Sequence, residues 1–279
     1  MNGQDRLDKY NDLSVYRLEP VHANISRRRG ISPVEPAHSC SELLDSTLPL
    51  VKYYTKQTEI VIPMMMHLDH SLTKIISKEK NYRIREKFKL LAKDMLRDVE
   101  DVFARRNLHQ KLRIMLLDVK IIKNNKTNYF MHENVSKYLK NYCEWQGGKK
   151  VAKKKWYYSV LFTGLDLYYV DKFGAKVRSS TGRGYMRGVC STKNSCAVLE
   201  WHPQYIAFLL AHEIAHSLGI PHDGPPYNDC QNHSHIMAAK YNSKNLTKTW
   251  SSCNKEALNQ FLKSKNAWCL RENSPITLD

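Results

Sequence analysis

Residues 212 to 223 read H-E-I-A-H-S-L-G-I-P-H-D, which gathers three imidazoles, a carboxylate and a helix-ending glycine into one short stretch. His212 and His216 are four apart, so on a helix they lie one turn above the other on one face, where two ring nitrogens can reach a single ion. Glu213 sits beside them, within reach of a water on that ion. Gly219 can adopt the left-handed conformation that ends a helix and Pro221 cannot continue one, so the chain is expected to turn back and present His222 as a third ligand. Three neutral nitrogens leave a fourth position on Zn2+ open to water, the arrangement of a catalytic site rather than a structural one. Zinc lowers the pKa of such a water from about 15.7 toward roughly 7. Glu213 is the candidate general base, taking that proton and passing it to a leaving amine, while the ion polarises the scissile carbonyl and stabilises the oxyanion.

A bare H-E-x-x-H also arises in any helix with polar faces. Its extension to H-E-x-x-H-x-x-G-x-x-H, followed by a methionine turn, is the metzincin signature, and Met237 lies in a suitable turn at Ile236 to Ala238. Asp223 directly after the third histidine, the Cys190 to Cys196 segment, and the ending from Cys253 to Cys269 and Leu270 resemble the adamalysin (reprolysin) branch of the metzincins. The stretch from Leu161 to Tyr168 is similar to arthropod salivary or venom members such as those of ticks and scorpions. The likeness covers about residues 58 to 273.

That resemblance implies an α/β metzincin fold: a mixed twisted sheet with helices in a large upper part, a small irregular lower part, and substrate in the groove between. It implies disulfides Cys143 with Cys196, Cys190 with Cys269, and Cys230 with Cys253, which cysteine arithmetic cannot choose, since six cysteines allow 15 pairings. Met237 would form an apolar floor under the metal. An antiparallel edge strand is expected among Gly184 to Cys190, available to pair with extended peptide, and a pocket beside zinc at Ala239 to Asn242. A structural calcium would use Glu59 early and Glu272 or Asn273 late; Tyr157 stands where the mid-chain Asp is expected, which weakens an oxygen-rich site by one carboxylate. The seventh cysteine, Cys40, is either a latency switch that occupies the fourth zinc position or an unpaired or intermolecularly paired thiol.

The elements that must position these residues read as alternating strands and helices. Glu59 to Met66 is a first buried strand, where Pro63 argues for a strand end or irregular edge. Phe88, Leu91, Ala92, Met95, Val99, Val102 and Phe103 repeat at helical spacing between Ile84 and Arg105. Leu112 to Ile122 is a strand, Glu133 to Trp145 a helix, and Ser159 to Thr163 a short apolar strand. Thr181 to Gly188 is a glycine-rich strand or turn on the cleft rim. Tyr205 to Leu218 is the helix carrying the histidines, and a last helix covers Asn254 to Lys263. Residues 1 to 57 read as a propeptide remnant or linker, with Arg27 to Arg29 either a processing site or a solvated linker, and 274 to 279 as a short tail.

Composition sets the outer bounds. The 279 residues can bury a full core, and no run approaches the roughly 18 to 20 apolar residues that span a bilayer. Met1 to Pro20 lacks the apolar core of a signal peptide, so the sequence reads as starting inside a longer precursor or as truncated. The net charge of +17 favours acidic partners. Lys149, Lys150, Lys153, Lys154 and Lys155, after Gly147 and Gly148, form either a site for heparin-like polyanions or anionic lipid, or a solvated loop. No nucleic-acid module is present. Of five glycosylation sequons (Asn24, Asn125, Asn134, Asn232 and Asn245) some could carry glycans in a secreted chain, while many sequons carry none, and His202, His233 and His235 are read as surface or cleft polar groups with no assigned role. The leading expectation is a monomeric, secreted zinc endopeptidase of the salivary or venom toxin type, acting on matrix or clotting proteins. The competing readings are a weakly catalytic binding or inhibitory toxin on the same fold, against which the intact Glu213 speaks, and a polyanion-binding protein.

Overall fold

The computed structural model describes residues 59–76, 81–105, 107–123, 131–153, 155–178, 182–231, 235–240 and 249–270. The expectations placed on Cys40, Arg27 to Arg29, Lys154, His233, Tyr241, Asn242, Glu272, Asn273 and the sequon asparagines other than Asn134 lie outside the described residues.

Four parallel strands and one antiparallel strand make the central sheet. Its strands are β1 (Ile60–Leu68), β2 (Leu112–Ile121), β3 (Tyr158–Thr163), β6 (Gly182–Gly184) and β7 (Cys196–Glu200), in the spatial order β2-β1-β3-β7-β6. Only β6 runs antiparallel, against β7. Helices fill the crossovers: α1 (His70–Ile76) and α2 (Asn81–Ala104) between β1 and β2, and α3 (Val135–Ala152) between β2 and β3. A small hairpin of β4 (Tyr169–Val170) and β5 (Lys176–Val177) precedes β6. After β7 come α4 (Ile206–Ser217), α5 (Ser252–Lys263) and a short 3-10 helix (Lys265–Leu270).

Strands covered on both faces read as mostly apolar runs, and β3 and β7 are buried at every residue. Alternation along them sorts side chains between two clusters. Val160, Phe162 and Leu199 pack with Phe88, Met95, Leu210 and Ile214 of α2 and α4. Leu161 and Val198 pack with Tyr138, Leu139 and Tyr142 of α3 on the other face. Each such side chain contributes about 1.5–3 kcal/mol on burial. The sheet is therefore a wall between α3 and the helix that carries the histidines.

Three expectations are corrected. Pro63 lies inside β1, a central strand, and not at a strand end or sheet edge. Ile60 N–H donates toward β2, so alternation turns the Pro63 nitrogen toward β3, whose pairing with β1 begins only at Met64; the missing N–H interrupts no ladder bond, and a register shift follows between Met64 and Met65. The edge strand is Gly182–Gly184, ending where the expected segment begins. Beyond it the chain turns down onto α4, where Arg187 and Val189 donate to the last carbonyls of that helix, at His216 and Ser217. Finally, α3 does not stop at Trp145 but runs through Gly147 and Gly148 to Ala152, with Asn134 as its N-cap. Lys149 and Lys150 are thus helical, not part of a loop. Lys150 is fully buried, its Nζ donating to Ser195 O at 2.8 Å and Ser195 Oγ at 2.6 Å, and is closed to any polyanion. Lys149, Lys153 and Lys155 remain exposed.

Candidate metal centre

The apolar residues Ile206, Leu209, Leu210, Ile214 and Ala215 sink α4 into the core, and the helix also carries buried His212 and Glu213 and the partly open His216. Gly219 ends the helix in the left-handed region, at φ +86. A Cβ there would also press to 3.0 Å of the Phe261 ring, so glycine is needed twice over. The turn carries His222 back over the helix. One ligand atom from each of His212, His216 and His222 lies within 4.8 Å of the others.

The hydrogen bonds orient the rings for a cation. His212 Nδ1 lies 2.8 Å from the Ile236 carbonyl and His216 Nδ1 2.9 Å from that of Ile220. A carbonyl only accepts, so each Nδ1 carries the proton and each Nε2 presents its lone pair. These two lone pairs point at His222: His212 Nε2 and His216 Nε2 stand 3.2 and 3.1 Å from His222 Nε2. Three imidazole nitrogens gathered at that range suit zinc. Burial is the first cause that keeps all three rings neutral: His212 is lowered to about 4, His216 well below the usual value, and His222 is lowered too. Neutral rings are what metal ligation requires.

Glu213 is buried against β6. Burial raises its carboxyl to about 7, against the pull of a Gly184 backbone hydrogen bond and the Arg183 charge, and its Oε2 has no hydrogen-bond partner. The two strand glycines make room for it: a Cβ on Gly182 would come within 3.2 Å of Oε1, and one on Gly184 within 3.3 Å of Oε2.

Behind the ligands lies a second set of contacts that sequence reasoning did not assign. Asp223 N–H donates to the Met237 carbonyl, and the Asp223 carboxylate accepts from Ser251 Oγ and Asn254 Nδ2. Ser251 and Asn254 also cap α5 reciprocally; their spacing resembles a capping box and was the available signal. Met237 is fully buried, and the carbonyl next to it, of Ile236, is the one that holds His212. His202 is not a surface group: it is 8% exposed, stacks on Tyr205 at 4.8 Å, and pairs with Glu200 at 3.3 Å.

Disulfides staple this region. Cys143–Cys196 joins α3 to β7, Cys190–Cys269 joins the segment after β6 to the 3-10 helix, and Cys230–Cys253 joins the chain beyond His222 to α5. Of the candidate calcium ligands only Glu59 lies among the described residues. It meets Lys111 at 3.5 Å and Arg113 at 3.6 Å, and Tyr157 donates to Gln146 Oε1.

A family model described as "Reprolysin (M12B) family zinc metalloprotease" matches residues 64–275. The human protein "A disintegrin and metalloproteinase with thrombospondin motifs 19" is 28% identical over 200 residues, covering 66% of this chain and 16% of that protein. The rat protein "A disintegrin and metalloproteinase with thrombospondin motifs 1" is 26% identical over 182 residues, covering 62% of this chain and 18% of that protein. The chain thus spans less than a fifth of the length of these relatives. A solved structure titled "Structure of a chaperone-substrate complex" aligns with a TM-score of 0.45 at 12% identity, over 74% of this chain and 35% of that one.

Proposed function

The chain belongs to the reprolysin (M12B) family of zinc metalloproteases, and from that premise we propose that it is an endopeptidase that hydrolyses internal peptide bonds of proteins. His212, His216 and His222 hold the zinc, and Glu213 is the general base. The observation that carries this reading is the convergence of three imidazole nitrogens, from His212, His216 and His222, with the buried carboxylate of Glu213 on the same helix.

When bound, zinc supplies a water of lowered pKa and polarises the scissile carbonyl. The protein's own groups do the rest. Extended substrate backbone adds to the outer edge of β6, which no other strand among the described residues pairs and which lies against Glu213. The carboxylate of Glu213 takes up a proton and returns it to the leaving amine nitrogen. Met237, with its neighbour Ile236, supports the His212 ring from below.

Three disulfides favour an oxidising, extracellular compartment, and no helix among the described residues is long and apolar enough to cross a membrane. The finer reading, a monomeric salivary or venom-type protein acting on matrix or clotting proteins, rests on the stretch from Leu161 to Tyr168. Latency through Cys40 and polyanion binding through Lys149, Lys153 and Lys155 belong to the same finer level. The deciding experiment is hydrolysis of a peptide library with and without chelator, alongside zinc analysis of the purified protein. Cleavage abolished by chelator and restored by zinc is expected; protein that binds no zinc, or cleavage indifferent to chelator, would end the proposal.

A further inference from the structure

Arg183 is the middle residue of β6, between the two glycines that face Glu213. Strand alternation sends its side chain to the opposite face of the sheet, toward α3, and there its Nη1 donates to Ser136 Oγ in the first turn of that helix. The residue is exposed. That hydroxyl is neutral, and no acid pairs with Arg183 among the described residues. Arg178, close by in sequence, is different: Glu133 at 2.8 Å and Asp166 at 3.4 Å already neutralise it.

The position makes this cation unusually receptive. The N-terminus of a helix carries partial positive charge, so a guanidinium resting on the first turn of α3 is disfavoured until an anion joins it. Its field also reaches the metal site, because the Arg183 charge is among the causes that lower Glu213, His216 and His222. A peptide strand laid on the outer edge of β6 would carry every second side chain on the face where Arg183 stands, with directly opposed Cβ atoms about 4.5–5.5 Å apart.

We propose that Arg183 determines specificity, selecting protein substrates that carry an aspartate or glutamate near the scissile bond on the α3-facing side of the bound strand. The inference rests on the reading of this site as a zinc endopeptidase with β6 as its substrate-binding edge. A carboxylate there pairs with the guanidinium and relieves its conflict with the helix terminus. A lysine or arginine at the same substrate position meets like charge.

The test uses peptides that the zinc-loaded protein cleaves, each remade with glutamate, glutamine or lysine at the residues flanking the scissile bond. At one flanking position the glutamate peptide is expected to exceed its glutamine twin in kcat/KM by about three- to fivefold at low salt, the scale of an opposite-charge pair on neighbouring strands, with the lysine peptide lowest. High salt should shrink the ratio. In Arg183→Gln the ratio should fall to about one, in Arg183→Glu the order of glutamate and lysine should reverse, and Arg183→Lys should keep a preference for glutamate. Zinc content, measured on each variant, separates a change of specificity from a damaged site. Equal rates for the three peptides at every flanking position, or a glutamate preference that persists in Arg183→Glu, would overturn the assignment while leaving the endopeptidase intact. If no peptide is cleaved in a zinc-dependent way, the endopeptidase reading itself fails and takes this one with it.

Discussion

Asp223 Oδ1 accepts a hydrogen bond from Ser251 Oγ at 2.7 Å, joining the residue after the third histidine to the cap of α5. Asn254 Nδ2 reaches the same oxygen at 2.8 Å. Removing the carboxylate strands two buried polar groups, a loss of about 1–3 kcal/mol. Asp223→Ala is therefore expected to lower stability by that amount in denaturant unfolding and to release zinc faster to a chelator. Unchanged values in both measurements would separate α5 from the metal turn.

Glu213→Ala is expected to keep the fold and the zinc while peptide hydrolysis falls at least about 100-fold, the usual range for loss of a general base. Metal analysis together with steady-state kinetics checks this. Undiminished turnover would remove Glu213 from the chemistry.

Gly219→Ala places a Cβ where φ is +86 and the Phe261 ring stands 3.0 Å away. The left-handed backbone alone disfavours an L side chain by roughly 1–2 kcal/mol. Lower thermal stability is expected, with weaker zinc retention because the turn delivers His222. Wild-type melting and metal content would show that the turn relaxes freely.

Lys150 gives a pH dependence with a definite sign. Burial lowers its ammonium to about 7 in the folded protein, against about 10.4 in an unfolded chain. Between those values the unfolded chain binds a proton that the folded one releases, so this group makes stability rise with pH from about 7 to about 10 and leaves it flat below. Lys150→Met keeps the buried stem and removes the amine. The stability difference, wild type minus variant, should therefore grow in favour of wild type across that window. A constant difference would mean that the amine titrates alike in both states.

Much of the site was readable because its spacing is local. One helical turn from His212 to His216, and a glycine before His222, dictate a helix, a stop and a return. The helix of Phe88, Met95 and Phe103 was readable for a related reason, since one continuous face packs on the sheet. What escaped depends on distant partners. Gly147 and Gly148 look like a helix end, yet α3 continues because Lys150 finds Ser195, 45 residues away. The edge strand is three residues with no β-branched side chain, and its glycines answer to the Glu213 carboxylate rather than to strand propensity. Pro63 misleads because a sequence does not show that β3 pairs only with the far end of β1.

The carbonyl that fixes the proton on His212 belongs to Ile236, 24 residues along the chain. A fragment ending after His222 would hold all three rings and still be free to offer either nitrogen of the first. Grip on the ion is thus a gauge of whether the chain beyond His222 has assembled: a truncation or reduction that spares every ligand should still make the protein leak its metal.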